Sequence, residues 1–272
     1  MANLQAFYIN LDSRPDRRVF MQSQLDRIGL NAKRLAATSP QTLTIAALPS
    51  GHPEMAVRDP MTLSELACLE SHARLWRRAA AIDGLTLILE DDVVLSPRSC
   101  GYLTTLEAGD WDVLRLETNF HTVRLGGDMA IINGSTARRL MQPQSGVGAY
   151  VLTPRAARTY LASPHLWSVP ADTMVLSPPH VYGLRVFQLL PALATHLEQL
   201  PQTSDQSAAI SEIGKTRTEV VARARRNAKG TANPSAVTRT LGQALVAMGL
   251  LRWFSPSAIL ASRRIWVPFE GR

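Results

Sequence analysis

Residues 85–95, LTLILEDDVVL, hold the densest chemistry in the chain. Aliphatic residues run straight into Glu90, Asp91 and Asp92, and an aliphatic run resumes at once. The β-branched apolar content and short length predict a buried strand. Three adjacent carboxylates are costly to bury beside such a strand. They belong at its end, where a divalent cation can neutralise them. Hard oxygen ligands suit Mg²⁺ or Mn²⁺, and such ions commonly arrive with a substrate diphosphate. Alternation along a strand puts Glu90 and Asp92 on one side and Asp91 on the other. An acidic turn closing a strand is the competing reading of the same three residues.

A diphosphate also needs a cationic partner, and residues 5–18 offer one. QAFYINL reads as a first strand, and DSRPDRR follows it. Asp12 or Ser13 can cap a helix whose first turn accepts Pro15. That helix would turn Val19, Phe20, Leu25 and Ile28 inward and stop at Gly29. Its free N–H groups, with Arg14, Arg17 and Arg18, can hold a phosphate; a solvated basic helix end is the alternative. Farther on, VPADTMVL places one carboxylate, Asp172, among apolar residues at a helix start. It is either an N-cap or a base that deprotonates a hydroxyl. His72 lies one turn after Cys68, and without a third ligand the pair reads as packing plus a hydrogen bond, or as a polar group near a phosphate pocket. Asp110 and Asp112 read as structural, at a turn into the strand of 110–117.

These groups must be positioned by ordinary elements. KRLAA (33–37) reads as a strand, residues 38–61 as a long loop, and Thr62–Glu65 as a capping box opening a helix over 63–82. That helix presents Leu66, Leu69, Ala73 and Trp76 on one face. A helix over 97–107, a short strand over 130–133 and a last strand over 186–196 complete the body. GVGAYVLTPRAARTYL (146–161) predicts a glycine-rich entry, a strand and a helix begun by Thr153 or Pro154. A chain of 272 residues with 46% hydrophobic content suits one large domain, or one with an appendage. Cys68 and Cys100 have no metal-ligand spacing, the first residues do not resemble a signal peptide, and no run reaches about 18 apolar residues. A cytoplasmic protein with free thiols is expected.

The net charge of +7 is uneven. Eleven Lys and Arg against two Glu follow Gly214, so about +9 sits there and the remainder sums to about −2. TRTEVVARARRNAK, LGQALVAMGLLRWF (241–254) and ILASRRIWVPF read as a basic helical appendage over 213–272, beyond a domain of 1–212. Basic residues beside Trp and Leu suit an interfacial helix on an anionic leaflet; a helical subdomain packed on the core is the alternative. No nucleic-acid motif is present, so binding there would be salt-sensitive and unspecific.

YINLDSRPDRR (8–18), TLSELACLESHARLW (62–76), LILEDDVVL (87–95), GAYVLTPRAA (148–157) and the Pro-Ala-Asp172 segment recur in the order of a known family. The sequence resembles the family 25 glycosyltransferases, which include lipopolysaccharide and lipooligosaccharide galactosyltransferases. The resemblance covers about residues 5–200. It implies a GT-A type fold, an α/β mixed sheet flanked by helices that binds a nucleotide sugar. It further implies a UDP-sugar donor, commonly UDP-galactose, a need for Mn²⁺ (or Mg²⁺), and inversion at the sugar carbon. Asp91 and Asp92 become the metal ligands by the family pattern, whereas alternation alone pairs Glu90 with Asp92. Asn10, Asp12, Arg14, Arg17, His72, Glu90 and Asp91 become donor-site candidates, and Asp172 and Asp92 catalytic ones. The chain departs from the family in RLAATSPQTL, which lacks the Asp-Gly expected after the second strand.

The implied acceptor is a glycan or lipid-linked glycan at the cytoplasmic face, with the basic tail holding the enzyme peripherally at the membrane. Two other readings use the same residues. One is a non-enzymatic basic protein that binds membrane or nucleic acid. The other is a different metal-dependent nucleotide-using transferase, which no Gly-x-x-x-x-Gly-Lys loop supports.

Overall fold

The computed structural model describes residues 3–43, 61–177, 182–200 and 261–271. The first strand, β1 (Leu4–Asn10), is buried over its last five residues. It feeds α1 (Pro15–Ile28), with Pro15 in the first turn and Gly29 closing the helix at φ +73°. Glycine suits that left-handed position. Two expectations differ here. The N-cap is Arg14, with no side-chain cap from Asp12 or Ser13, and Val19 is 69% exposed. Leu25 is buried as expected and Ile28 packs against the core, but the rest of the buried stripe is Met21 and Gln24. Gln24 explains the rotation, because its amide donates to the Val93 carbonyl at 2.7 Å and accepts from the Leu95 N–H at 2.9 Å. A helix face chosen by hydrophobicity alone misses such a buried polar bridge.

β2 (Lys33–Ala36) runs parallel to β1. α2 (Leu63–Ala81) opens with the expected capping box, Thr62 and Glu65 exchanging side-chain-to-backbone bonds. β3 (Leu85–Glu90) pairs parallel with β1, so both strands deliver their carboxyl ends to the same edge. At Asp91 the chain leaves that sheet and re-forms as β4 (Val93–Leu95) in another. α3 (Ser99–Thr104), β5 (Val113–Arg115) and β6 (Glu117–Thr118) follow. β7 (Thr122–Ile132) and β8 (Ser135–Leu140) form a hairpin far longer than the strand expected over 130–133. Its turn is Asn133-Gly134, both at positive φ, the pair that matches strand twist best. β9 (Ala149–Leu152) leads to α4 (Pro154–Leu161), capped by Thr153. α5 (Ala171–Val175), β10 (Val186–Leu190), β11 (Ala194–His196) and β12 (Arg263–Trp266) complete the described elements.

Nine of these strands form one mixed sheet in the order β12-β7-β8-β10-β5-β9-β3-β1-β2. Three form a small sheet, β4-β11-β6. One core holds Leu69, Trp76 and Tyr160, and the other Met21, Leu25 and Leu103. The fold is thus a large mixed sheet flanked by helices. Trp76 is fully buried and donates to the Tyr150 hydroxyl at 2.9 Å. Asp112 is structural, accepting from Arg155 at 2.6 Å and from the Arg185 N–H at 2.7 Å.

The stretch ILASRRIWVPF corrects the helical reading where it is described. Arg263–Trp266 is a strand, antiparallel to β7, and Val267 and Phe269 are buried in the body. Ile265, Val267 and Phe269 supply an apolar alternation that a sheet edge can use. The basic stretches of 215–229 and 241–254, and residues 44–60 of the expected loop, lie outside the described residues. Among the described residues no helix is long and apolar enough to cross a membrane.

Candidate active site

The parallel ends of β1 and β3 bring Asn10 beside the acidic triplet. Asn10 donates to Asp91 Oδ2 at 2.6 Å and to the Arg14 carbonyl at 3.0 Å. Arg17 projects from the first turn of α1, with one nitrogen 3.1 Å from Asp91 Oδ1 and 3.0 Å from Asp92 Oδ2. Both oxygens of Asp91 are therefore engaged by the β1–α1 corner. Burial pushes its carboxyl up to about 6, against the pull of Asn10 and Arg17. Glu90 turns the other way, 3.3 Å from His72 Nε2, whose Nδ1 meets the Tyr150 hydroxyl at 2.9 Å.

The opposite wall comes from the small sheet. Leu197 N–H donates to the Asp92 carbonyl, fastening the end of β11 beside the triplet. His196 Nδ1 then lies 3.3 Å from Asp92 Oδ1, and its Nε2 3.2 Å from Glu117 Oε1. Glu117 is fully buried, next to the equally buried Arg115, and accepts from the Gly148 N–H at 2.6 Å. Burial pulls the His196 imidazole down, but the Glu117 and Asp92 carboxylates outweigh it and hold the ring well above its usual range. Burial pushes both carboxylates up; His196 outweighs it, aided by Arg17 at Asp92 and Arg115 at Glu117, and holds both low. The glycine-rich entry permits this contact. A Cβ on Gly146, at φ +84°, would stand 2.4 Å from Glu117 Oε1, and one on Gly148 3.0 Å from the His196 ring.

Between the walls is a cavity of about 720 Å³. Asn10, Arg14, Arg17, His72 and the acidic triplet line it, and so does Asp172 from α5. Asp172 is half-buried, with its Oδ1 accepting from the Thr173 N–H at 2.6 Å. Burial raises its carboxyl above the usual range, against the pull of the Thr173 and Gly146 N–H groups. The helix cap at α5 is Pro170, so Asp172 is no N-cap. Asp12 is the donor-site candidate that does not reach the cavity. It is exposed and pairs with Arg34, which in turn holds Asn10 Oδ1 at 2.8 Å. Arg14 reaches the cavity while bound to Asp16 at 2.7 Å. Sequence reasoning missed His196, Glu117 and Arg115. Charged residues inside the otherwise apolar strand VLRLE were the available signal, since such groups are rarely buried without a purpose.

The sequence pattern of Glycosyltransferase family 25 (LPS biosynthesis protein) matches residues 3–175, which include the triplet, Asn10, Arg17 and Asp172. This chain belongs to glycosyltransferase family 25. Among its relatives, the lacto-N-neotetraose biosynthesis glycosyltransferase LgtB of Neisseria meningitidis serogroup B is 28% identical over 225 residues, 77% of this chain and 82% of that protein. A glycosyltransferase 25 family member of Drosophila pseudoobscura pseudoobscura is 36% identical over 100 residues, 34% of this chain. Another, from Anopheles gambiae, is 30% identical over 122 residues, 40% of this chain. The matched regions span 16% and 20% of those two insect proteins. The inositol-1-phosphate CTP transferase of T. maritima overlaps loosely, at a TM-score of 0.35 and 13% identity over 84% of this chain and 78% of that one.

The divalent cation expected for a family 25 chain fits the donors present. One ligand atom each from Glu90, Asp92 and His196 lies within 4.8 Å of the others. Two carboxylates and an imidazole suit Mn²⁺, and the carboxylates suit Mg²⁺. Asp92 Oδ1 is buried and receives no well-aligned hydrogen bond. The flanking carboxylates favour the protonated imidazole of His196, so cation binding there would release a proton. Asp91 faces Arg17 and Asn10 and is not part of that group. Cys68, His72 and Glu90 form a second close group, so a third partner does exist. Burial pushes the Cys68 thiol well above its usual range, and a protonated thiol ligates poorly.

Proposed function

We propose that this family 25 chain is an inverting glycosyltransferase of the GT-A type. It moves galactose from a UDP-sugar to a glycan acceptor in lipopolysaccharide or another cell-surface glycan. One observation carries the reading: the acidic strand end, the arginines of the first turn and the lone carboxylate Asp172 all line one cavity. A sugar diphosphate and its acceptor need these groups together: cationic and metal-ligating residues for the diphosphate, and a carboxylate that can serve as base. The Neisseria relatives are lacto-N-neotetraose biosynthesis glycosyltransferases, which supports a glycan acceptor.

Glu90, Asp92 and His196 would hold Mn²⁺ or Mg²⁺, which would supply Lewis-acid neutralisation of charge on the leaving diphosphate. Arg14 and Arg17 bind the diphosphate from the β1–α1 corner. Asp172 accepts the proton of the acceptor hydroxyl while its oxygen bonds to the anomeric carbon. UDP departs from the opposite face with the electron pair of the broken bond, so the configuration inverts. Burial of Asp172 raises its proton affinity, which suits a base. Tyr150, His72 and Arg34 act one step away, by fixing Glu90 and Asn10. The acceptor is met at the cytoplasmic face, with the basic segment after Gly214 drawn to anionic lipid.

The test is calorimetric titration of UDP into the wild type and Asp92→Ala, with and without Mn²⁺. Metal-dependent binding that vanishes in the variant is expected. A folded wild type that binds none of UDP, GDP or CMP would remove the chemical basis of the proposal.

A further inference from the structure

Phe120 combines three features that the donor site does not use. It is a bulky residue in the left-handed region, at φ +53°, a costly conformation for an aromatic side chain. It is held there from both sides. Its N–H donates to Thr118 Oγ1 at 3.0 Å, and its carbonyl accepts from Trp266 Nε1 at 3.1 Å. Its ring stacks on Trp266, with centroids 6.1 Å apart and planes 27° apart, and the indole remains 51% exposed. Trp266 comes from β12, and the next residue, Val267, accepts from the same Thr118 hydroxyl at 2.7 Å. Two distant chain segments thus converge to present an aromatic surface to solvent.

Its position gives that surface a use. Phe120 lies between Asn119 and His121, both of which line the cavity. It is also three residues from Glu117, hence within about 11 Å of it along the backbone. Glu117 contacts His196, which contacts Asp92. Phe120 and Trp266 do not themselves line the cavity, but the pair adjoins it through the chain neighbours Asn119 and His121. One face of a pyranose ring carries several C–H bonds and is slightly positive. Such a face is drawn to the negative face of an aromatic ring. The amide of Asn119 and the ring of His121 supply polar partners for hydroxyls, the combination a small-molecule site needs.

We propose that Phe120 and Trp266 form the acceptor subsite, a platform on which a pyranose ring of the acceptor glycan stacks beside Asn119 and His121. This rests on the glycosyltransferase reading, and its test can fail separately. Saturation-transfer NMR with methyl glycosides of glucose, galactose and N-acetylglucosamine, and with lactose, needs no donor. Ring C–H signals are expected with wild type and Trp266→Phe, and not with Trp266→Ala or Phe120→Gly. Trp266→Phe keeps a ring but loses the bond to the Phe120 carbonyl, so it separates stacking from the pinning of β12. Phe120→Gly relaxes the left-handed backbone and removes only the ring, which preserves the test if Trp266→Ala unfolds. In transfer assays the acceptor KM should rise about tenfold in both ring-deleting variants, with UDP affinity unchanged. Signals that persist in both variants, signals displaced by UDP, or an acceptor KM and UDP affinity that move together would overturn the subsite. Ring-dependent sugar binding by a chain that binds no nucleotide would keep the subsite and overturn the donor reading instead.

Discussion

The two walls of the cavity are built in opposite ways. The β1–α1 wall is assembled from neighbours: Asn10, Arg14 and Arg17 fall within eight residues, and Asn10 and Arg17 meet Asp91 where β1 and β3 end side by side. The β4-β11-β6 wall is assembled from three separate segments, with Glu117 and His196 meeting Asp92 across long stretches of chain. The first is a helix end that presents charge to the cavity. The second is a buried chain of alternating charge, Arg115, Glu117, His196 and Asp92, where each group depends on the next. Local walls tolerate change, and remote buried ones fail as a unit.

Breaking the remote wall at its most buried link should have the largest effect. Glu117→Gln leaves Arg115 and His196 facing a neutral amide in a dry site, and should cost about 3–5 kcal/mol of stability. Thermal or urea unfolding measures this, and a change below about 1 kcal/mol would sink the picture of a coupled wall. Where the walls join, Asp92→Asn should lower kcat by about 10²–10³ while the fold persists by circular dichroism. Steady-state transfer kinetics decide this.

The local wall predicts a pH effect. The Asp91 carboxyl is raised from 3.8 to about 6 in the folded protein, so the fold favours its protonated form. The contribution of Asp91 to the stability of the metal-free protein is then fully present below about pH 4 and is lost as pH rises through about 6. The full difference above that range is about 3 kcal/mol. Asp91→Asn should flatten this slope in urea titrations, and an unchanged slope would assign it elsewhere. At the start of α2, Thr62→Ala removes one cap and should cost about 1 kcal/mol, the smallest of these effects, read by thermal unfolding.

The same contrast decides what the sequence discloses. The capping box at Thr62, Pro154 at a helix start and the apolar run into Glu90 are local signals, and each element lies where they place it. Leu25 and Ile28 of α1 face inward as an apolar pattern predicts, whereas Gln24 is hidden from such a pattern because it is a polar residue buried to bridge Val93 and Leu95. Asn133-Gly134 is a hairpin signal, but the glycines at 126 and 127 masked the length of β7. His196 and Glu117 carry no motif, because their partners are fixed by strand order rather than by spacing. The edge role of β12 was hidden by its Arg and Trp content, which also suits an interfacial helix.

β12 and the residues after it also bear on how the protein is made. Val267 meets the Thr118 hydroxyl from 149 residues farther along the chain. A ribosome adds about 5–20 residues per second, so roughly 7 to 30 s separate the two. For that interval the strand bearing Glu117 lacks its cover, and the most charged part of the interior waits half-built in water. Synthesis order thus leaves the Thr118 hydroxyl without its Val267 partner until the last described strand arrives.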